Sequence, residues 1–370
     1  MCSALSSTSR NAARGLLPVT SRFIDEAECV LSVLLAIGFA HLLHAQNVAW
    51  AAFSGYMVMR GHVSDSFLRG ALRILGTAVG AGLALLVVPV VQGSVAASAL
   101  ASALLGGASL YGALTGRRAY AWLFVGLTFE MIVLDKLAHT DRDLRAFVET
   151  RLLEVAAGTA ACVAVSALST LTVRRRWPGA RAAPARRIGW HPHALRHAAQ
   201  GAAVLALLPV LWARFRVPEL AQSAVAVMAV MLVPISSIGP SGLAPVSRKL
   251  LQRVAGCLAG SALAGAFLFA AHGSVPLLIG GTVVGVLLGR HIENGGHTAT
   301  YVGTQFTLAV LVTLVPDSYD GIAITPALER LTGILVGLAL LEPVLIAWHL
   351  VAPTGAARAW SWTGGTGAGR

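Results

Sequence analysis

Charged residues are scarce in this sequence: Asp, Glu, Lys and Arg make up 12% of its 370 residues, whereas hydrophobic residues make up 56%. A soluble domain carries about twice that charged fraction. The mean hydropathy is +0.73, and apolar stretches of about 20 residues, long enough to cross a bilayer, recur along the whole chain. The composition excludes a soluble globular protein and predicts an all-α polytopic membrane protein.

Cysteine is also scarce, and its four residues are scattered singly: Cys2, Cys29, Cys162 and Cys257. Without paired spacings they indicate neither a disulfide framework nor a metal site. Three histidines, His191, His193 and His197, lie in a basic segment without a carboxylate or cysteine beside them, so we expect a solvated interface there. The sequence also lacks a nucleophile elbow, a phosphate loop and a zinc-protease motif, and we expect neither an enzyme nor a cofactor.

Acidic residues are few, 16 against 28 Lys and Arg, which leaves a net charge of +12. Such an excess can indicate nucleic-acid binding, but the hydropathy argues against it and makes the lipid bilayer the expected partner. Membrane proteins concentrate Lys and Arg in their cytoplasmic loops. The first apolar run follows three acidic residues and lacks a cleavage pattern, so we expect a retained helix rather than a signal peptide.

Twelve apolar windows bounded by charges, Pro or Gly predict twelve membrane spans. Their centres are Leu35, Phe53, Gly80, Ala103, Gly126, Thr159, Val204, Val227, Gly260, Val284, Leu308 and Leu338. The second and tenth windows look short for the usual 20 or so residues, so ten spans are an alternative. Twelve crossings with a cytoplasmic N-terminus place 21 of the 28 Lys and Arg inside, the bias expected in a bacterial inner membrane.

The stretch RRRWPGARAAPARRIGWHPH, rich in Arg, Pro and Ala, is the one linker of the chain. It predicts two six-helix repeats, residues 27–172 and 196–352, joined by a cytoplasmic segment 173–195. Cytoplasmic tails, 1–26 and 353–370, would flank them. Because six is even, both halves enter the membrane in the same sense, as parallel repeats do.

Matching residues recur in the two halves in the same order. The third and ninth spans match at an offset of 180: Arg73, Gly76 and Gly80 against Arg253, Gly256 and Gly260. The sixth and twelfth match at 179, Arg151 and Gly158 against Arg330 and Gly337. The fifth and eleventh match at 177, which pairs Gly126 and Phe129 with Gly303 and Phe306. The small-residue spacings predict close helix packing.

Four arginines stand at predicted span starts: Arg73, Arg253, Arg151 and Arg330. The macrodipole disfavours a cation at a helix N-terminus, so their positions call for a reason. One reason is snorkelling to lipid phosphate, or a topology signal. The other is that a pseudo-twofold axis brings each arginine opposite its twin, lining an anion pathway with positive charge.

A polar stripe runs along the fifth and eleventh spans. At the 177 offset, Tyr120 pairs with His297, Thr128 with Gln305, and Glu130 with Thr307. An isolated carboxylate at the depth of Glu130 would cost a few kcal/mol, so it is protonated, paired with an arginine, or facing water. It is the first candidate for proton coupling, and a static ion pair is the alternative. Glu154, which can pair with Arg151, and Glu342 are the other candidates.

The second and eighth spans are both irregular. One is short and contains Ser54-Gly55, and the other runs into VPISSIGPSG. Paired broken or short segments in two halves point to a substrate site.

A Trp-led second span, a polar turn and an Arg-x-x-Gly-Thr-x-x-Gly helix resemble the fusaric acid resistance (aromatic acid exporter) family. The residues that carry the likeness are Trp50, the turn 61–66, Arg73, Gly76, Thr77 and Gly80, with a looser copy at Arg253, Gly256, Cys257 and Gly260. The resemblance implies efflux of aromatic or other organic acids driven by protons. Larger members carry a big cytoplasmic domain, which this chain replaces with a short linker, so a periplasmic adaptor stays an open question.

The six-span unit also resembles, more distantly, plant aluminium-activated malate channels, in which two such units form an anion pore with arginines. We therefore expect a transporter of small organic anions in which arginines recruit a carboxylate and Glu130 couples export to proton entry. A passive organic-anion channel and a non-transporting membrane scaffold are the alternatives.

Overall fold

The computed structural model describes residues 19–181, 188–217, 219–239, 242–296, 298–317 and 324–351. Within these ranges the chain forms helices and no strand. A helix lies at each of the twelve expected span centres. Six precede the Arg/Pro-rich segment: α1 Val19–Leu42, α2 Val48–Val58, α3 Val63–Val91, α4 Val95–Thr115, α5 Ala119–Ala138 and α6 Leu144–Leu171.

Six more helices follow that segment. They are α7 Pro192–Phe215, α8 Leu220–Met231, α9 Leu243–Ala271, α10 Val275–Glu293, α11 Thr300–Leu314 and α12 Thr325–Val351. Short turns, Val173–Arg175 and Ile235–Ile238, follow α6 and α8. Inside α4, residues Ser102–Gly106 form a π-helical turn.

Seven of the described helices are long and apolar enough to cross a membrane: α3, α4, α6, α7, α9, α10 and α12. Three others, α2, α8 and α11, have 11, 12 and 15 residues, and a crossing takes about 20. An all-helical membrane protein is confirmed, while twelve crossings stay a prediction. The sequence predicts that the second and tenth spans are short. The prediction is confirmed for the second span, and it is wrong for the tenth, whose helix has 19 residues and ends at Glu293.

Several helices begin with polar residues that precede their apolar stretch. The His62 side chain accepts from the backbone N–H of Ser64 at the start of α3, and Asp143 Oδ1 accepts from that of Arg145 at the start of α6. Such caps satisfy donors that a helix N-terminus leaves unpaired. As a result α3 and α6 begin well before the arginines that the sequence placed at their starts.

Two helix pairs pack closely enough to require glycine. A Cβ at Gly76 of α3 would lie 2.5 Å from the backbone oxygen of Ala121 in α5. In the second half, a Cβ at Gly256 of α9 would lie 2.5 Å from the backbone oxygen of Val302 in α11. The small-residue spacing thus predicted the packing correctly.

These contacts correct the register between α5 and α11. Val302 lies 181 positions after Ala121. The tyrosines that accept from the arginines show the same offset. Tyr120 accepts from Arg73, and Tyr301, 181 positions later, accepts from Arg253. The offset of 177 is therefore wrong by four residues, about one helical turn. The Gly-x-x-Phe motif recurs in both helices one turn apart, which explains the error.

Contacts between the two halves are reciprocal. Helix α1 packs on α10 while α4 packs on α7, and α2 packs on α11 while α5 packs on α8. Each short helix therefore lies between its own half and the other: α2 also contacts α6, and α8 also contacts α12.

The seam between α1 and α10 is ionic. Arg290 donates from Nε and Nη2 to the Asp25 carboxylate at 2.7 and 3.1 Å, and both side chains are buried. Tyr56 of α2 donates to Glu293 at 2.7 Å. Nearby, Arg174 donates to Glu28 from two nitrogens, at 2.8 and 2.6 Å.

The seam between α4 and α7 is made of small and aliphatic residues. The space at Gly106 is filled by Leu205 and Glu130, and the space at Gly107 by Ala202. Leu110 packs against Gly201. The two halves are thus joined by charge on one side and by close helix packing on the other.

Candidate functional site

The four arginines lie inside the protein rather than at helix starts or in lipid. Arg73 and Arg253 are about three turns into α3 and α9, and Arg330 is more than a turn into α12. Their exposed fractions are 3%, 1% and 3%. The helix-terminus placement is wrong because polar residues extend each helix beyond its apolar part. Such burial also rules out snorkelling for these three.

Arg73 is held by the first half alone. Its Nε donates to Ser54 Oγ of α2 at 3.1 Å and its Nη1 donates to the Tyr120 hydroxyl of α5 at 3.3 Å. The guanidinium also lies over the Phe124 ring, 4.2 Å from its centroid. Neutral hydroxyls and an aromatic face leave its charge uncompensated by these contacts.

Arg151 has a counter-ion in its own helix. Its Nη1 lies 3.0 Å from Glu154 Oε2, which confirms the expected pair. Its guanidinium lies over the Trp50 ring at 4.3 Å from the centroid.

Arg73 and Arg151 line one internal cavity of about 50 Å³. Aromatic and aliphatic side chains complete its wall, among them Trp50, Phe124, Thr128 and Met131. Val225 of α8 belongs to this wall, so the second half closes a cavity of the first. Two guanidinium groups beside aromatic faces are suited to an aromatic carboxylate.

Arg253 and Arg330 form the corresponding group in the second half. Arg253 Nη1 donates to the Tyr301 hydroxyl at 3.0 Å, and Arg330 Nη2 donates to Gln305 Oε1 at 3.2 Å. Arg253, Tyr301 and Cys257 lie within electrostatic reach of Arg330. The Phe53 ring of α2 faces Arg330 at 5.9 Å, so the first half contributes to this group.

The structure therefore groups the arginines within each half. Tyr120, Thr128 and Gln305 lie beside these arginines, and their role in a substrate pathway stays a prediction. A pairing of Arg73 with Arg253, or of Arg151 with Arg330, across an axis stays a prediction.

Two other expected residues lie elsewhere, and a third is not among the described residues. The Thr307 hydroxyl donates to the Gly303 carbonyl and packs against Gly289 of α10, away from the arginines. Glu342 is half-buried about three turns beyond Arg330 on α12. His297 lies outside the described residues.

Glu130 lies on a different face of α5 from the arginine cavity. It is fully buried between the π-turn of α4 and Leu205 of α7, with Gly106 directly against its carboxyl group. The Ser102 hydroxyl is the polar group beside its carboxyl, and no described arginine, lysine or histidine forms a salt bridge with it. The interpretations as an ion pair with arginine and as a water-facing group are therefore wrong for this structure. A buried π-turn is frequently found at a functional site.

A polar vestibule of about 480 Å³ adjoins the arginine cavity. It is lined by four carboxylates and two arginines: Asp135, Asp143, Glu154, Asp317, Arg142 and Arg151. Arg151 belongs to both cavities, so the Arg151–Glu154 pair separates them. Partial burial raises the pKa of the Asp317 carboxyl above its ordinary value.

The ionic seam between α1 and α10 was not predicted from the sequence. Asp25 and Arg290 were interpreted only as flanking charges, although opposite charges in two apolar helices are the signal for such a pair. His197 was expected in a solvated interface, but it is fully buried, and its ring nitrogens lie 2.9 Å from the Met231 carbonyl oxygen and 3.1 Å from Gln200 Oε1. Within the described ranges, no cluster of His, Cys, Asp or Glu could hold a metal.

Residues 35–165, which run from α1 to α6, match the model of a family described as fusaric acid resistance protein-like. The first half is therefore similar to that family over these residues. The match includes Trp50, Arg73, Tyr120, Glu130 and Arg151, and confirms the resemblance. Neither the curated proteins nor the solved structures contain a significant match, so the likeness to plant malate channels stays a prediction. The family match and the apolar helices indicate membrane transport of the efflux class.

Proposed function

We propose that this protein exports organic carboxylate anions, aromatic ones in particular, across a bacterial inner membrane in exchange for protons. Its architecture would be two parallel repeats of six helices each, with twelve membrane crossings in total. The reciprocal contacts of α1 with α10 and of α4 with α7 support this arrangement, as a pseudo-twofold axis along the membrane normal produces such contacts.

The observation that carries the proposal is the cavity shared by Arg73 and Arg151. Guanidinium groups recognise carboxylates through a planar fork of N–H donors. The rings of Trp50 and Phe124 in the same wall can pack against an aromatic body. Val225 reaches this cavity from α8, so movement of that short helix would open or close it.

The vestibule supports release of the anion after it leaves the cavity. A carboxylate that passes the Arg151–Glu154 pair would enter a space in which carboxylates outnumber arginines by four to two. Like charges repel, so the anion would bind weakly in this space and would not be retained there.

The test is initial flux of aromatic carboxylates into liposomes that contain the purified full chain. We expect flux of a carboxylate above that of protein-free liposomes, and no such excess for the matching uncharged amide. Cyclohexanecarboxylate, which has the charge without the ring, should move more slowly than benzoate. Equal flux with and without the protein for every carboxylate tested would contradict transport.

We also propose that both termini and the segment 173–195 are cytoplasmic. The support is the 21-to-7 division of Lys and Arg between the two sides. A cysteine introduced at the exposed Arg175 should resist an impermeant maleimide in intact cells and react after permeabilisation. A cysteine at Asp141, in the loop between α5 and α6, is the matched control and should react in intact cells. The reverse pattern would overturn this orientation.

A passive channel with the same arginines is the second candidate, favoured by the polar vestibule that adjoins the cavity. A channel requires no titrating group, so its flux would follow the anion gradient alone. A scaffold would show no flux at all. Neither the exporter nor the channel proposal includes a periplasmic adaptor.

A further inference from the structure

A groove of about 600 Å³ lies at the surface, where the turn between α4 and α5 meets the segment that leads into α7. The backbone N–H of Ile188 donates to the Thr115 carbonyl at 3.0 Å, and that of His191 donates to the Tyr111 hydroxyl at 3.3 Å. These two hydrogen bonds attach the end of the segment to α4. Trp190, which lies between the two donors, therefore forms one wall of the groove.

The groove carries positive charge. Arg117 and Arg118, in the turn after α4, are exposed and line it. None of the described residues that line it is acidic, and the described carboxylates form no salt bridge with either arginine. The sequence contains no Asp or Glu in residues 66–129 and 155–218, from which the groove is built. Its charge is therefore available to an anion from outside the chain.

Aromatic surface accompanies this charge. Trp122 and Trp190 line the groove and are 44% and 73% exposed. The Trp122 ring packs directly on the backbone of α4, because a Cβ at Gly112 would lie 2.5 Å from it. Leu104, about one turn before the groove on α4, is 61% exposed. Exposed tryptophan between a polar and an apolar surface is typical of the boundary between membrane and water.

We propose that this groove binds the headgroup of an anionic phospholipid from the surrounding bilayer. The guanidinium groups of Arg117 and Arg118 would donate to the lipid phosphate. The indole rings of Trp122 and Trp190 would pack against the glycerol and the upper part of the acyl chains. In the proposed orientation the groove faces the cytoplasmic leaflet, whose anionic lipids attract basic segments next to a membrane span.

The exposed apolar surface distinguishes a lipid from a water-soluble phosphate, which would contact the arginines but not the tryptophan rings. The groove shares no lining residue with the arginine cavity, so the site is separate from that of the exported anion. Because one wall belongs to the segment between the two halves, a bound lipid would hold that segment against α4.

Native mass spectrometry of the purified full chain in an uncharged detergent tests the proposal. Phosphatidylglycerol should bind more tightly than phosphatidylcholine with the same acyl chains. Arg117→Gln with Arg118→Gln should weaken phosphatidylglycerol binding about thirtyfold, because each arginine near an anionic lipid surface contributes about fivefold. Arg175→Gln with Arg176→Gln removes the same charge from exposed positions after α6, so it is the matched control and should bind as the parent does.

Trp190→Ala tests the aromatic wall independently of charge. It should weaken phosphatidylglycerol binding about fivefold, a part of the effect of burying a whole aromatic ring. Trp177→Ala, which changes an exposed tryptophan of the same segment outside the groove, should have no effect. Excess glycerol 3-phosphate should not displace the lipid.

Three results would overturn the lipid site. Equal binding of phosphatidylglycerol and phosphatidylcholine would exclude recognition of the anionic headgroup. Equal weakening in the two double arginine variants would reduce the effect to general attraction between a basic surface and anionic lipid. Displacement by glycerol 3-phosphate, with binding unchanged in Trp190→Ala, would assign the groove to a soluble phosphate.

Discussion

Replacing Arg73 and Arg253 together by glutamine is expected to reduce the initial flux of an aromatic carboxylate about a hundredfold. Each guanidinium would supply charge-assisted hydrogen bonds to the anion, and such bonds contribute about 1.5–3 kcal/mol. The loss of one in each half removes roughly two powers of ten at about 1.4 kcal/mol per tenfold. The measurement is flux in proteoliposomes at matched amounts of inserted protein.

The fold should tolerate this double substitution. Both side chains are buried and bonded to hydroxyl groups of Ser54, Tyr120 and Tyr301, and glutamine is a shorter neutral residue that removes the buried charge and can still hydrogen-bond to a hydroxyl. Lysine at both positions should retain part of the flux, because the charge stays while the planar fork is lost. Arg175→Gln with Arg176→Gln, two exposed residues after α6, is the control. Parental flux in the buried double variant would make these arginines structural.

Glu130→Gln is expected to abolish the accumulation of substrate that a proton gradient drives. Its carboxyl group lies against Gly106, Leu205 and Ser102, and no described cation forms a salt bridge with it. Glutamine keeps the shape but cannot exchange a proton. With one proton exchanged per anion charge, a gradient of one pH unit should support about tenfold accumulation in the parent, the equivalent of 1.4 kcal/mol. The variant should show none.

The accumulation of a labelled carboxylate at steady state, with and without an imposed pH gradient, distinguishes the possibilities. Glu149→Gln, an exposed carboxylate on α6, is the control and should accumulate substrate as the parent does. Gradient-driven accumulation that persists in Glu130→Gln would assign Glu130 a structural role. If the parent itself ignores the gradient, the passive channel is the correct description.

Apolar windows in the sequence predicted a helix at each of twelve positions where the structure describes one, and small-residue spacings predicted glycines at which helices pack. These predictions were possible because apolar length and small-residue spacing are local properties of the chain. The apolar windows misplaced the arginines at helix ends because polar residues such as Asp65 and Arg69 continue α3 ahead of its apolar part. Hydropathy identifies where a helix is apolar, not where its hydrogen bonding begins.

The arrangement of the site could be predicted only in part. Arg73, Arg151, Arg253 and Arg330 were identified from their recurrence, but their grouping within each half depends on how α5 and α11 pack. A repeated Gly-x-x-Phe motif favoured a register one turn away from the one that the tyrosine contacts show. The orientation of the Glu130 side chain could not be predicted from a sequence pattern, because apolar residues surround it on every side of α5.

The two seams between the halves also determine which halves can associate. On the proposed repeat, a pair of two first halves would bury the Asp25 carboxylate of one copy against the Gly106–Gly107 surface of the other, with no cation opposite. A pair of two second halves would bury Arg290 without Asp25 and leave it only Glu293 of its own helix as a counter-ion. Burial of an unpaired or poorly paired charge is unfavourable, so in this arrangement each half would favour the unlike half over a second copy of itself. Covalent linkage through the Arg/Pro-rich segment then guarantees that each half finds the unlike one at equal stoichiometry.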